Sequence, residues 1–245
     1  QELEPDMSSL ANLFPAAGEV PTDNDQALYA DGDTYLIGGE VRRWDGPSLP
    51  VESCICDRAE DGTLTRRKLG DFAQLSAEVA TDALKAATGA WDRGRGAWPQ
   101  SSVAERVKAI EAFREGMRET RDEVVRLLMW EIGKPYASAC KEFDRTVEYV
   151  DKTIEALRAL DREQSVFQSH SGVMAQVRRA PLGVCLCMGP FNYPLNECYT
   201  TLIPALAMGN TAVVKLPRLG MLCNLPLLKA LAAAFPPGVV NVIGG

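Results

Sequence analysis

The sequence predicts an α/β protein in which a helical layer with small strands precedes the first half of a doubly wound parallel sheet. Over residues 75–160, apolar residues recur at helical spacing. From residue 184 onward, short apolar runs alternate with helical stretches, which predicts strands near 184–188, 211–215 and 239–243. A strand–helix–strand–helix–strand order with short connections is typical of a parallel sheet with right-handed crossovers.

Composition excludes several classes of protein. The 245 residues include 26 Lys and Arg against 33 Asp and Glu, a net charge of −7, which argues against a general nucleic-acid binder. The apolar stretch 180–188 is interrupted and too short for a membrane span, and the acidic start is not a signal peptide. Cys185, Cys187 and Cys198 sit in apolar runs, as buried thiols do in a reducing compartment, so we expect a cytoplasmic protein.

The N-terminal part contains two predicted hairpins after a leader. Residues 1–34 show no sustained period, which favours an extended leader. Strands at 35–37 and 41–44 flank Gly38-Gly39-Glu40, and strands at 51–56 and 63–69 flank Asp61-Gly62.

Four helices are predicted next. Ser76 is available as the N-cap of the first, and Ser102 to Glu105 form a capping box for the second. Thr120 to Glu123 have the same pattern and open a third helix, which Gly133-Lys134-Pro135 ends. The fourth helix is long, and the apolar stripe that it is expected to bury comprises Phe143, Val147, Val150, Ile154 and Leu157.

The last third of the chain changes to strands. Val173, Ala175 and Val177 alternate with polar neighbours, which predicts one half-exposed strand ending at Arg178-Arg179. The continuous apolar run 184–188 is typical of a buried parallel strand. One helix should end at Gly209-Asn210 and another should span 223–235. No helix follows the strand at 239–243, so we expect its edge of the sheet to be bare and the chain to be part of a longer fold.

Two turns stand where a ligand of such a sheet binds. Residues 189–194, which are rich in Gly and Pro, follow the first strand, and residues 215–218 follow the second. Ligands of open α/β sheets bind beyond the carboxyl ends of the strands. These two segments therefore predict the site.

The same segments resemble the aldehyde dehydrogenase superfamily, over about residues 30–245. The motifs that carry the resemblance are Pro181-Leu182-Gly183-Val184, Gly189-Pro190-Phe191-Asn192-Tyr193-Pro194-Leu195, Pro204 through Lys215, and Pro237 through Ile243. Within the superfamily the chain is most similar to the non-phosphorylating, NADP-dependent glyceraldehyde-3-phosphate dehydrogenases. Asn192-Tyr193 and Glu142-Phe143-Asp144-Arg145-Thr146 support that finer match.

The resemblance implies a domain organisation. Residues 35–164 would be the strands and helical layer of the cofactor-binding domain. Residues 165–179 would be an exposed strand of an oligomerisation arm, and residues 180–245 the first half of a Rossmann-like NAD(P)-binding sheet. The catalytic domain would be absent. We expect a homodimer or homotetramer, or a partner chain that supplies the missing half, and no nucleic-acid or membrane partner.

The resemblance also implies roles for single residues. Asn192 would stabilise the oxyanion of the reacting aldehyde, while Arg145 and Tyr193 would hold a substrate phosphate. From the residues alone, other interpretations stay open. Asn192 is a common turn former, Tyr193 could be a packing aromatic, and Arg145 could lie on a solvated helix face beside Glu148.

For the cofactor, the resemblance implies NADP, with NAD as the alternative. The residues expected to bind it are Met188, Gly189, Pro190, Phe191, Lys215, Arg218 and Gly245. Lys215 would bond the adenosine ribose, and a cation that merely ends a strand is the alternative interpretation. NAD-preferring relatives often carry Glu at the position of Arg218, whereas a cation there should attract the 2′-phosphate of NADP.

No nucleophile or metal site is predicted. Cys54 and Cys56, like Cys185 and Cys187, are two apart on one face of a strand, but no other nearby ligands complete a metal set. The only histidine, His170, lies in a polar, turn-like stretch. The Gly-Gln-x-Cys and Glu-Leu-Gly-Gly motifs that carry the family's catalytic cysteine and glutamate do not occur in these 245 residues.

The leading functional hypothesis is therefore NADP-dependent oxidation of glyceraldehyde 3-phosphate to 3-phosphoglycerate without phosphorylation, a glycolytic reaction. The complete protein would perform it, and this chain alone would be inactive. Two alternatives stay open: oxidation of another aldehyde such as a semialdehyde, and a non-catalytic structural subunit that kept the fold.

Overall fold

The computed structural model describes residues 11–16, 18–20 and 32–245. Most of the predicted leader, residues 1–34, lies outside the described residues. The two predicted hairpins are confirmed. Strands β1 (Thr34–Ile37) and β2 (Glu40–Arg43) pair antiparallel, as do the longer strands β3 (Ser48–Arg58) and β4 (Leu64–Ala73).

The helical layer forms as the periodicity predicts. It comprises α1 (Ala77–Trp91), the short α2 (Ala97–Gln100), α3 (Val103–Glu119), α4 (Arg121–Ile132) and α5 (Tyr136–Gln164). The Ser76 side chain accepts a hydrogen bond from the Val79 N–H, and Gly133 ends α4 in the left-handed conformation with φ of 68°. The predicted stripe of α5 is buried along its whole length.

One of the two predicted capping boxes is wrong. At α3, the Ser102 hydroxyl accepts from the Glu105 N–H at 3.2 Å, and the Glu105 carboxylate accepts from the Ser102 N–H at 2.7 Å. Thr120 makes no such cap. Since α3 ends at Glu119 and α4 begins at Arg121, Thr120 joins two helices directly, and its hydroxyl donates to the Met117 carbonyl at 2.9 Å.

The single half-exposed strand predicted for 173–177 is also wrong. The chain forms a hairpin of two exposed three-residue strands, β5 (Gln168–His170) and β6 (Val173–Ala175). Ser171 and Gly172, with φ of 49° and 80°, make its tight turn. His170 lies at the end of β5, and Val177 is outside the strand.

The strand–helix–strand–helix–strand segment is confirmed. Strand β7 (Val184–Met188) is followed by α6 (Asn196–Ala207), and β8 (Thr211–Lys215) leads to β9 (Val240–Ile243). Between β8 and β9, the predicted helix over 223–235 is instead a 3₁₀ turn (Leu222–Leu227) continued by α7 (Leu228–Ala234). Strand β8 pairs parallel with both β7 and β9.

The edges of the sheet differ from expectation. The strand order is β2-β1-β9-β8-β7, so the hairpin β1–β2 covers the edge of β9 that was expected to be bare. Strand β7 forms the other edge of this five-stranded sheet. It is not buried as its apolar sequence predicts, because Leu186 and Met188 are 66% and 59% exposed.

Helices cover both faces of the sheet. Ala83 and Ala87 of α1 pack with Ile37, Val213 and Ile243 on one face. The larger core lies on the other face, where Ala212, Val214 and Val242 meet side chains of α3 to α7. No helix among the described residues is long and apolar enough to cross a bilayer.

Candidate cofactor and substrate site

The carboxyl ends of the three parallel strands lie in one row. In the strand register, Met188 is opposite Lys215, and Lys215 is opposite Ile243. The loops that follow, 189–195 and 216–221, therefore start side by side. Gly245 lies two residues beyond the end of β9, at the same edge. The predicted site segments are thus brought together.

The first loop is held close to the helix that follows it. A Cβ on Gly189 would lie 2.2 Å from the Sγ of Cys198 in α6, so only glycine fits this approach. The side chains of Phe191, Asn192 and Tyr193 are exposed. No hydrogen bond joins the Asn192 amide to another described residue, which leaves it available to a ligand.

A buried carboxylate anchors the end of this loop. Glu142 of α5 is 2% exposed and accepts from the backbone N–H groups of Leu195 and Asn196 at 3.1 and 3.2 Å. It also forms an ion pair with Lys134. The Lys134 ammonium lies 3.9 Å from the centroid of the Tyr193 ring, a cation–π contact. Glu142 therefore fixes the end of the segment that carries Tyr193, and Lys134 contacts the Tyr193 ring itself.

The same face of α5 carries Arg145. The Thr146 hydroxyl accepts from the Asn196 amide at 3.1 Å, and the Tyr149 hydroxyl donates to the Thr200 carbonyl at 3.3 Å. Residues 142, 145, 146 and 149 share one side of a helix. Arg145 is exposed, and its side chain has no ion pair with any described residue, Glu148 included. It thus lies on the side of α5 that contacts the Asn192–Tyr193 loop and α6.

A second buried carboxylate anchors the second loop. Glu131, near the end of α4, accepts from three consecutive backbone N–H groups, those of Gly220, Met221 and Leu222, at 2.7, 3.0 and 2.9 Å. Burial raises the pKa of Glu131 to about 7, while the three N–H donors oppose the rise. This carboxylate thus holds the backbone that begins two residues after Arg218.

The two loops contact each other. Gly220 has φ of 86°, and a Cβ there would lie 2.4 Å from the Cβ of Pro194. The Asn224 amide donates to the Gly220 carbonyl at 3.3 Å and lies 3.5 Å from the Pro194 carbonyl. A shift of either loop would therefore displace the other.

The cations at the edge fit a dinucleotide phosphate. Lys215 is half-buried and Arg218 is exposed, and neither side chain is paired with an acidic residue anywhere in the described part of the chain. Exposed Met188, Pro190 and Phe191 provide apolar surface beside them. An unpaired guanidinium next to a strand-end lysine is a donor set suited to phosphate oxygens. Geometry and donors thus fit the predicted cofactor.

The three buried cysteines, Cys187, Cys198 and Cys223, are poor nucleophiles. Burial raises the pKa of Cys198 to about 12, and it also raises the pKa values of Cys187 and Cys223. A thiol with a raised pKa holds little reactive thiolate. No group of three or more His, Cys, Asp or Glu side chains in the described ranges is arranged to hold a metal ion.

Sequence reasoning missed Glu131, Lys134 and Glu142 as site residues. A signal for the two acids was present. Glu131 follows Leu127 and Leu128 on the buried stripe of α4, and Glu142 stands beside buried Phe143. A carboxylate on an apolar helix face must find donors when buried, which marks it as an anchor. Lys134 carries no comparable sequence signal.

The fold and the site define a class: an α/β protein with the half-sheet of a dinucleotide-binding domain and a cationic carboxyl edge. The aldehyde dehydrogenase family model matches residues 61–245. The chain belongs to the aldehyde dehydrogenase family.

Two curated relatives and one solved structure illustrate the similarity. An NADP-dependent glyceraldehyde-3-phosphate dehydrogenase of Streptococcus equinus is 34% identical over 154 residues, 61% of this chain and 32% of the relative. An N-succinylglutamate 5-semialdehyde dehydrogenase of Chromobacterium violaceum is 28% identical, over 89% of this chain and 41% of the relative. The NADP-dependent glyceraldehyde-3-phosphate dehydrogenase of Bacillus halodurans C-125, solved with NADP, aligns with a TM-score of 0.72 and 28% identity, over 87% of this chain and 44% of that one.

These alignments have two consequences. The aldehyde dehydrogenase-like α/β fold predicted from sequence is confirmed. The chain spans about a third to four-tenths of the length of these relatives. The relatives also differ in the aldehyde that their names give, so the family alone does not fix a substrate.

Proposed function

We propose that the complete protein oxidises glyceraldehyde 3-phosphate to 3-phosphoglycerate with NADP, and that this chain supplies the cofactor edge and part of the substrate site. The observation that carries the proposal is the placement of Arg145 and Tyr193. Both are exposed, and the Glu142–Lys134 pair joins α5 to the loop of Tyr193. A guanidinium and a phenol are donors suited to a phosphate ester, and in this proposal both hold it.

The other residues have separate roles in this proposal. The Asn192 amide donates to the aldehyde oxygen as negative charge develops on it, which lowers the barrier for nucleophilic attack. Arg218 holds the 2′-phosphate, and Lys215 donates to the adenosine ribose. Bound NADP supplies the hydride acceptor. The attacking thiolate and the base that activates water lie outside this chain in the proposal, because burial disfavours the thiolate of the cysteines near the loop.

Arg145→Ala tests the phosphate assignment. In the full-length protein, we expect this change to raise KM for glyceraldehyde 3-phosphate far more than KM for unphosphorylated glyceraldehyde. The difference should be about 2 kcal/mol, or roughly thirtyfold, the scale of a lost charged hydrogen bond. Steady-state NADPH formation with both aldehydes measures it, with Arg162→Ala on an exposed part of α5 as the control. If KM rises equally for both aldehydes, Arg145 is a surface residue with no part in phosphate binding.

A semialdehyde is the second candidate substrate. The similarity to the Chromobacterium violaceum semialdehyde dehydrogenase covers more of this chain than the similarity to the Streptococcus equinus enzyme does. The two candidates differ in whether the substrate carries a phosphate. If wild-type protein has a higher kcat/KM for N-succinylglutamate 5-semialdehyde than for glyceraldehyde 3-phosphate, the second candidate replaces the first.

A further inference from the structure

We infer that the segment from Glu131 to Glu142, which joins α4 to α5, is a positioning device for both loops of the site. Glu131 sets the loop that carries Arg218, and Glu142 sets the loop that carries Asn192 and Tyr193. The inference rests on the proposed function and deepens it, because it assigns control of cofactor choice and aldehyde choice to two buried carboxylates that contact neither ligand.

The first step concerns Glu131. Its two oxygens accept three consecutive backbone N–H groups, and the side chain is 4% exposed. The N–H groups are those of Gly220, Met221 and Leu222, so the chain direction is fixed two residues after Arg218. A glutamine at 131 keeps the shape but offers one oxygen, and its amide N–H group would face a backbone donor. The backbone beside Arg218 would then be held less firmly.

The second step concerns Glu142. One oxygen accepts the N–H groups of Leu195 and Asn196, and the other pairs with Lys134. Lys134 in turn contacts the Tyr193 ring. Replacing Glu142 by glutamine removes the charge that holds Lys134 and so releases the tyrosine ring. The backbone after Asn192 loses part of its anchor in the same change.

The third step is the contact between the loops. Because Gly220 abuts Pro194, the two anchored segments pack against each other at the site. Glu131 and Glu142 are only eleven positions apart in sequence and lie on either side of the turn between α4 and α5. A single structural element therefore sets both the cofactor loop and the aldehyde loop.

The experiment compares Glu131→Gln and Glu142→Gln in the full-length protein, with Glu123→Gln on α4 and Glu163→Gln on α5 as exposed controls. Backbone amide exchange is measured by NMR or mass spectrometry. Calorimetry gives the ratio of the dissociation constants of NAD and NADP. Steady-state kinetics give the ratio of kcat/KM for glyceraldehyde 3-phosphate and glyceraldehyde. Each ratio compares two ligands on one sample, so a loss of folded protein cancels.

We expect each variant to act locally. Glu131→Gln should speed exchange at 220–222 about tenfold more than elsewhere and lower the preference for NADP about tenfold. Glu142→Gln should speed exchange at 195–196 and lower the preference for the phosphorylated aldehyde by a similar factor. Glu131→Gln should change the cofactor ratio more than the aldehyde ratio, and Glu142→Gln should do the reverse. The control variants should change neither ratio.

Two results would overturn the inference: exchange that quickens uniformly along the chain, or both ratios staying at wild-type values in folded variants. If a Gln variant does not fold, the corresponding Asp variant, which keeps the charge but is one carbon shorter, must show the same local pattern. Failure of the proposed function is distinct. Wild-type protein that does not oxidise glyceraldehyde 3-phosphate would contradict that function, while local exchange and a shifted cofactor ratio in Glu131→Gln would still support positioning.

Discussion

At the scale of residues, the site combines exposed cations with buried acids. Arg145 and Arg218 have no acidic partner in the described ranges, whereas Glu131 and Glu142 are buried. Both acids accept from backbone N–H groups, and Glu142 also pairs with Lys134. An exposed cation keeps its charge available to a ligand, and a buried acid that holds backbone N–H groups fixes a loop. This combination of buried acids and exposed cations suits the proposed function, in which well-held loops bind the phosphates of cofactor and substrate.

Arg218 carries the prediction for cofactor choice. In the proposed function Arg218 donates to the 2′-phosphate of NADP. Arg218→Glu would replace that donor by a group that repels the phosphate, so we expect preference to move toward NAD by about one to two orders of magnitude. A charge-assisted hydrogen bond of roughly 1.5–3 kcal/mol corresponds to that factor. The ratio of kcat/KM values for the two cofactors measures it. An unchanged ratio would remove Arg218 from the cofactor site.

Glu131 carries a prediction for pH. Burial raises the pKa of this carboxyl to about 7 in the folded protein, above the ordinary glutamate value of 4.5. Between those values the folded chain holds a proton that the unfolded chain has lost, so this contribution to stability is full below pH 4.5 and is lost as pH rises toward 7. The contribution to the free energy of unfolding is roughly 3 kcal/mol, because a change of one in pKa corresponds to about 1.4 kcal/mol.

Urea unfolding at pH 5 and pH 7.5 tests this dependence. Wild-type protein should lose stability over the interval relative to Glu131→Gln, which cannot titrate at this position. The Glu123→Gln control should follow wild type. Parallel curves for all three proteins would mean that Glu131 is already ionised at pH 5.

At the scale of elements, helix starts show what sequence can and cannot specify. Ser102 and Thr120 begin the same four-residue pattern, but only Ser102 caps a helix. The difference is the preceding backbone. Ser102 has ψ of 159° and is extended, whereas Thr120 has ψ of 8° because α3 ends immediately before it. The pattern describes the residues after the cap and contains no information about what precedes it.

Matched alanine substitutions test the difference. Ser102→Ala should lower the free energy of unfolding by about 1 kcal/mol, since it removes the acceptor for the Glu105 N–H and breaks the reciprocal bond. Thr120→Ala removes only a hydroxyl-to-carbonyl bond within the turn, so its effect should be smaller. Chemical denaturation of both variants measures this, and a larger loss for Thr120→Ala would contradict the assigned caps.

Local patterns predicted most elements, and long-range pairing accounts for the error at the edge of the sheet. The α5 stripe, the Ser102 cap and the β7–β9 segment follow from nearby residues. The pairing of β1 with β9 joins residues some 200 positions apart, and no periodicity encodes it. At the site, strand ends identified the two loops, but the anchors come from α4 and α5. The apolar helix faces mark the two acids as buried, but which loop each acid holds depends on tertiary contacts that a single sequence does not display.

At the scale of the whole molecule, the five-stranded sheet has two edge strands with no further strand partner among the described residues, β2 and β7, and β7 is the apolar one. The edge presents Leu186 and Met188, and exposed Leu182 and Phe191 flank it at 93% and 63%. Unpaired strand edges with apolar side chains favour association. Local sequence patterns predicted this liability at β9, where β1 in fact provides a partner.

The last prediction follows from that edge. The 245-residue chain expressed by itself should self-associate through β7, and Leu186→Lys should reduce the association, because a charge on an edge strand opposes pairing with a second strand. Leu84→Lys is the matched control, since Leu84 is 52% exposed on α1, away from the edge. Sedimentation velocity at several concentrations measures the effect. A chain that stays monomeric before either change, or a control that works as well as Leu186→Lys, would show that β7 does not drive association.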